Sequence, residues 1–158
     1  MNVKKDLFGH ALSQFYFKKD PAKLYSESNI SHWDEYPLTQ LFRGFDQMPE
    51  IERQALSLAQ GKILDVGCGA GSHSLYLQNL GRDVRSIDLS KGAVQIAQSR
   101  GVAQVTETSL LDYDGERFDT IIMLMNGTGI FESLESVPAY LNKLKTLLNP
   151  YFGLYRGW

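Results

Sequence analysis

Cysteine is nearly absent from this chain: Cys68 is the one in 158 residues. No disulfide can form within it, cysteine-built metal centres are excluded, and a reducing, cytoplasmic compartment is the natural expectation. A surplus of charge of either sign is missing too. Sixteen basic residues against 18 acidic leave a net charge of −2, without the basic footprint that drives nucleic-acid affinity. Lys4-Lys5 and Lys18-Lys19 are short pairs that read as solvated helix faces. No apolar run nears the roughly 20 residues that span a bilayer. Met1–Asp6 leads into an amphipathic stretch rather than the long apolar core of a signal peptide. Neither nucleic acid nor a membrane is expected as a partner. His10 and His32 are too scattered to indicate a metal site, and none is expected.

What is present is the composition of a soluble globular protein, 43% hydrophobic and 22% charged, at the size of one ordinary core. The pattern changes near Gly61. Residues 1–60 carry aromatic-rich, helix-like segments broken at Asp20-Pro21, Tyr36-Pro37 and Met48-Pro49. Pro49 followed by Glu50-Ile51-Glu52 starts a helix expected to run to about Gln60, with acids at the positive end of the macrodipole. From residue 61 to 158 short apolar strands alternate with helices, which predicts an α/β domain on a parallel sheet. The expected strands are Ile63–Val66, Val84–Asp88, a weaker Val102–Thr106, and Asp119–Met125. Helices are expected over Ser72–Leu80, from a Ser90 cap to Arg100, and through Leu134, Val137, Leu141, Leu144 and Leu148.

The chemistry concentrates after the first strand. Asp65-Val66-Gly67-Cys68-Gly69-Ala70-Gly71 ends a strand in a glycine turn and opens a helix, where backbone approaches a ligand with no Cβ in the way. A carboxylate at Asp65 suits a cationic ligand better than a pyrophosphate, which it would repel. Asp88, at the end of the second strand, can accept both hydroxyls of a ribose. Together they describe a site for a nucleoside with a positively charged tail.

The segment Ile63–Ser72 resembles the first motif of class I methyltransferases dependent on S-adenosylmethionine (SAM). Ser86–Ser90 is similar to their second motif, Arg117–Ile122 to their fourth-strand signature, and Leu144–Pro150 to the helix end that follows. The resemblance covers about Gly61 to Pro150 and implies a Rossmann-like sheet of four strands, with a short fifth, flanked by helices. It implies SAM as cofactor. Asp65, Gly67, Cys68, Gly69 and Gly71 would lie at the methionine end, Asp88 on the ribose and Leu89 on the adenine. Ser109-Leu110 would stand at the adenine-reading pair, where serine departs from the usual acid. Met125 and Asn126 would lie beside the sulfonium and a small-molecule acceptor. The N-terminal helical segment would form a lid on the acceptor side, with Trp33 and Tyr36 as candidate acceptor contacts.

Other residues read more plainly. Cys68 is a small residue between glycines, and His73, in the first turn of its helix, reads as packing or surface, with general-base duty as the lesser reading; the spacing itself identifies no catalytic base. An NAD(P)-dependent oxidoreductase would want a third glycine where Ser72 stands. The family fold has seven strands, and only Tyr151–Trp158 follows Pro150. The resemblance implies methyl transfer to a small-molecule acceptor; the alternative is a truncated member that binds SAM with impaired catalysis, or a natural short form completed by pairing its open strand edge with a second copy.

Overall fold

The computed structural model describes residues 6–18, 23–27, 32–125 and 127–150. Its centre is a parallel sheet of four strands, β3 (Lys62–Val66), β4 (Asp83–Asp88), β5 (Val105–Glu107) and β6 (Thr120–Ile122), in the order β5-β4-β3-β6. The chain steps outward from β3 to β4 to β5, then returns to lay β6 on the other side of β3. The strand order reverses there, and the carboxyl ends on either side of such a point leave a crevice for ligands. Ile63 and Leu64 of β3 are fully buried, as a strand covered on both faces requires.

Three helices serve the sheet directly: α3 (Ser72–Asn79), α4 (Lys91–Ser99) and α5 (Val137–Leu147). Ser90 caps α4 by accepting from the Ala93 N–H, as its sequence position predicts. Beyond α5 the chain turns back beside β6, with Phe118 bridged to Leu148 in parallel. Among the described residues β6 is otherwise the sheet's edge; residues 151–158 lie outside them.

The N-terminal segment departs from the all-helical expectation. After α1 (Leu7–Ser13) and a π-helical turn over Gln14–Lys18, it forms a small antiparallel sheet of β1 (Leu24–Ser26) and β2 (Asp34–Tyr36). Two 3-10 turns, Leu38–Phe42 and Phe45–Gln47, then lead to α2 (Glu50–Leu58). Other expected boundaries move as well. Val102 belongs to a buried turn, its N–H donated to Ala97, so β5 starts at Val105. The fourth strand shrinks to three residues, and a 3-10 turn, Gly127–Phe131, takes up chain before α5. Pro138 in the first turn fixes the start of α5, leaving Leu134 exposed before it.

Two devices bind the N-terminal segment to the sheet domain. Asp6 caps α1 through the Gly9 N–H and also accepts from the Ser90 hydroxyl and the Gly92 N–H at the head of α4. The two helices touch backbone to backbone, so that a Cβ on Gly92 would fall 2.5 Å from the Gly9 Cα. Arg100, at the end of α4, donates to the Ala70 carbonyl at 2.5 Å and lies over the Phe42 ring at 5.0 Å. Among the described residues no helix is long and apolar enough to cross a membrane.

Candidate functional site

The glycine turn after β3 is pinned by its own backbone. The N–H groups of Gly67 and Cys68 both donate to the Ile87 carbonyl, at 2.8 and 3.1 Å, and that of Gly69 donates to Asp88 Oδ2 at 2.8 Å. These donors are therefore spent within the fold rather than aimed at a ligand, because buried N–H groups must be paired. Gly67 still has to be glycine: it sits at φ +72°, and a Cβ would meet the Ile130 Cδ1 at 2.9 Å.

Asp65 and Gly71, both expected on the ligand, line none of the three cavities described below and make their contacts within the scaffold. Asp65 is fully buried beneath the turn, where the Ser74 hydroxyl donates to its Oδ2 at 2.5 Å and meets the Ser86 hydroxyl at 2.8 Å. Burial pushes its carboxyl above the usual range, against the opposing pull of His73 and Ser74. At Gly71 (φ +81°) a Cβ would lie 2.5 Å from Val102 Cγ2, so this glycine packs α3 onto the neighbouring turn.

Asp88 does face the crevice. Ser90 donates its N–H to Oδ1 at 2.9 Å while Gly69 holds Oδ2, so each oxygen keeps a free acceptor direction. Burial raises this carboxyl too, and the two N–H donors pull it partly back. Around it opens a cleft of about 250 Å³ lined by Val66, Gly67, Ile87–Leu89, Thr108–Leu110, Leu124, Met125, Ile130 and Tyr140. Leu89 stands exposed in its wall, and Leu110 is buried at its base. The Ser109 hydroxyl donates to Asp112 Oδ2 at 2.6 Å and accepts the Asp112 N–H, which closes a local turn and engages the hydroxyl internally.

Two further cavities share lining residues with this cleft. One, about 110 Å³, runs past Gly67, Cys68, Gly69 and His73 beneath Phe8 and Tyr36. The other, about 360 Å³, lies among Asp34–Pro37, Gln40, Arg43, Pro49 and Glu52. Tyr36 lines both, and Met125 lines all three. Met125 holds a left-handed φ of 55°, a conformation that costs a residue with a Cβ about 1–2 kcal/mol. Asn126 lies outside the described residues. Trp33 is 68% exposed and lines none of these cavities; it rests edge-on against Tyr25.

A polar cluster with no signal in the sequence lies between these last two cavities. Arg43 donates to Glu52 Oε1 at 2.5 Å, and His73 Nε2 lies 3.0 Å from Glu52 Oε2. Burial would raise the Glu52 carboxyl, but the hydrogen bonds from His73 and Arg43 outweigh it and hold the group below its ordinary value. Glu52 reads in sequence as a helix-start acid, and nothing in its spacing ties it to Arg43 or His73.

Comparison with known proteins places this geometry. The family described as the methyltransferase domain matches residues 63–151. The ubiquinone biosynthesis O-methyltransferase of Alkalilimnicola ehrlichii is 36% identical over 94 residues, covering 54% of this chain and 35% of that protein. Its counterpart from Albidiferax ferrireducens is 28% identical over 144 residues, covering 83% of this chain and 55% of that one. A crystal structure of a SAM-dependent methyltransferase from Bacteroides fragilis, in complex with S-adenosyl-L-homocysteine, superposes with a TM-score of 0.87 at 43% identity. That match covers 95% of this chain and 63% of the other.

Proposed function

The chain belongs to the methyltransferase domain family, and from that premise we propose that it binds SAM and transfers its methyl group to a small-molecule acceptor. The observation that carries the reading is Asp88, with both oxygens held by backbone donors, in the wall of a cleft that shares Gly67, Leu124 and Met125 with the neighbouring cavity under Tyr36. The residues present fit the cofactor. The free acceptor directions of Asp88 suit two vicinal hydroxyls, Leu89 and Leu110 flank the space for a planar base, and Gly67 leaves room that a Cβ would fill. Gly69, Cys68 and His73 would border its methionine end. SAM supplies a methyl group on a sulfonium whose departure is neutral, so the protein has no leaving anion to stabilise.

What the chain contributes is alignment. Holding two reactants in line is worth up to roughly 7–11 kcal/mol in favourable cases. Here the pinned glycine turn, Met125 and Tyr36 would set that line. The acceptor would occupy the cavity walled by Tyr36, Gln40, Arg43 and Glu52. Because the chain spans 35% to 63% of the relatives above, binding and turnover are separate questions. Calorimetric titration answers the first: S-adenosylhomocysteine should bind and raise the melting temperature, while NADH should do neither. A shift with NADH alone would overturn the reading in favour of an oxidoreductase.

A further inference from the structure

His73 and Glu52 lie 21 residues apart, on α3 and α2, and the fold brings them together out of water. Burying an ionic cluster generally costs stability that apolar packing of the same volume would not. The start of α3 needs no such pair, since its first turn is anchored independently by Ser72, whose hydroxyl donates to the Leu41 carbonyl. The placement is functional in character. His73 lines the cavity at the methionine end of the cleft, Glu52 and Arg43 line the cavity beyond, and Tyr36 and Met125 border both. The cluster thus forms part of the partition between the cofactor's tail and the acceptor's space.

We propose that His73 is the proton acceptor for a hydroxyl or amine methyl acceptor, with Glu52 and Arg43 as positioning residues. This rests on the methyl-transfer reading above. Arg43 occupies one oxygen of Glu52 and keeps the carboxylate ionised, so the other oxygen faces His73 Nε2 as an acceptor. Nε2 then carries the ring proton, and Nδ1 keeps the lone pair a base requires. In the step itself the acceptor's O–H or N–H bond breaks, its electron pair stays on the heteroatom and forms the bond to the methyl carbon, and the proton passes to Nδ1. The C–S pair returns to sulfur. The resulting imidazolium is stabilised by Glu52 and gives its proton to water after the product leaves.

The other titratable and charged groups facing His73 are engaged elsewhere. Besides Glu52 on α2 and Arg43 after the 3-10 turn, they are Asp65 on β3, Asp88 on β4, Cys68 in the glycine turn and Tyr36 on β2. Asp65 is tied to Ser74, and Asp88 to Gly69 and Ser90. Burial, together with the two aspartates, pushes the Cys68 thiol far up, so it stays protonated. Burial likewise raises the Tyr36 phenol. The acceptor directions left on Asp88 are the ones assigned above to the ribose hydroxyls.

The chain has three histidines, which makes the ring state directly readable by nitrogen-15 NMR on the full chain saturated with S-adenosylhomocysteine. His10 and His32 are exposed, and His10→Gln and His32→Gln assign their signals, leaving His73 by elimination. The expected state is a Nε2–H tautomer with Nδ1 bare, and Glu52→Gln should mix the two tautomers. A proton on Nδ1 between about pH 7 and 9 overturns the proposal, because no lone pair would be left. A parent that binds S-adenosylhomocysteine yet shows that proton sinks the base alone; a parent that binds none sinks the cofactor reading as well. His73→Asn should lower transfer of labelled methyl to catechol by about 10²–10⁴-fold, with S-adenosylhomocysteine affinity retained. The deficit should shrink as pH rises and catechol ionises by itself. Parental turnover in His73→Asn would equally overturn the proposal.

Discussion

The cofactor-side cleft and the acceptor-side cavity meet at Met125 but are built in opposite ways. The first is made mainly of strand ends and a glycine turn, its geometry set by backbone hydrogen bonds such as those from Gly67 and Cys68 to Ile87. The second is made mainly of side chains, contributed by β2, a 3-10 turn and α2, segments with no common period. A site built from topology can be read from a local motif, because the motif and the backbone path are the same thing. A site built from side chains of separate segments exists only once those segments have packed. The two should therefore fail differently when mutated: the acceptor side through stability and chemistry together, the cofactor side through affinity.

The largest effect should come from the acceptor side. Glu52→Ala leaves Arg43 and His73 buried without their shared partner, and breaking one member out of a buried ionic cluster costs about 3–5 kcal/mol. Urea denaturation of parent and variant measures it. The pH dependence sharpens the point. The folded Glu52 carboxyl lies below its ordinary value because the bonds from His73 and Arg43 overcome burial. Its contribution should be complete above the unfolded value, about 4.3, and fade as pH falls through the folded one. Glu52→Gln should lose that acid-side slope. A loss under about 1 kcal/mol for Glu52→Ala would mean that the cluster is solvated in solution and that the two regions do not differ in this way.

Asp88→Ala tests the cofactor side, with a smaller expected loss. S-adenosylhomocysteine affinity should fall by about 1.5–3 kcal/mol, the range for hydrogen bonds to a charged group. Asp65→Asn is its counterpart in the same motif. Asp65 lies under the turn and bonds Ser74, so its substitution should alter stability and leave affinity nearly unchanged. If Asp65→Asn instead weakened binding as much as Asp88→Ala does, the carboxylate would act on the ligand after all. Asp6→Ala should come next, at about 0.5–2 kcal/mol of stability, the cost of losing a helix cap. It removes the cap of α1 together with the contacts to Ser90 and Gly92. Retained parental stability would show that packing, not Asp6, holds α1 on α4.

Legibility followed the same division. The strand ends at Val66 and Asp88, the Ser90 cap and the left-handed glycines were readable because each depends on a few adjacent residues. The direction of Asp65 was not, since a side chain at a strand end can point up to the crevice or down to the helix, and only Ser74 and Ser86 decide. The β1–β2 pair escaped notice for want of alternation: Asp34 and Glu35 stand side by side before Tyr36, with no apolar face to announce a strand. Arg43, Glu52 and His73 come from three separate segments, and burial alone turns three ordinary residues into a cluster. Phe8 escaped for a related reason: its place above the methionine end depends on α1 docking against α4.

The smallest effect should be at Trp33, which separates the rings of the N-terminal segment into those that shape a cavity and those that do not. Tyr36 lines two cavities and meets Phe8 edge-on at 6.4 Å. Trp33, immediately before β2, is exposed and holds a left-handed φ of 37°. A bulky side chain in that region is strained by about 1–2 kcal/mol, and glycine relieves the strain at an entropic cost of about 0.5–1 kcal/mol. Trp33→Gly should therefore be neutral or more stable by up to about 1 kcal/mol, despite the loss of an indole. Trp33→Ala keeps the Cβ and the strain and gives up the edge contact with Tyr25, so it should be the less stable of the two. Neither should change S-adenosylhomocysteine affinity or methyl transfer to catechol, whereas Tyr36→Ala should reduce transfer more than it reduces affinity. Thermal denaturation ranks the stabilities, and a tritium-transfer assay reads the turnover. If Trp33→Gly loses transfer while Tyr36→Ala keeps it, the exposed ring closes over the acceptor during turnover, and the cavity beside Tyr36 is the wrong place to look for substrate.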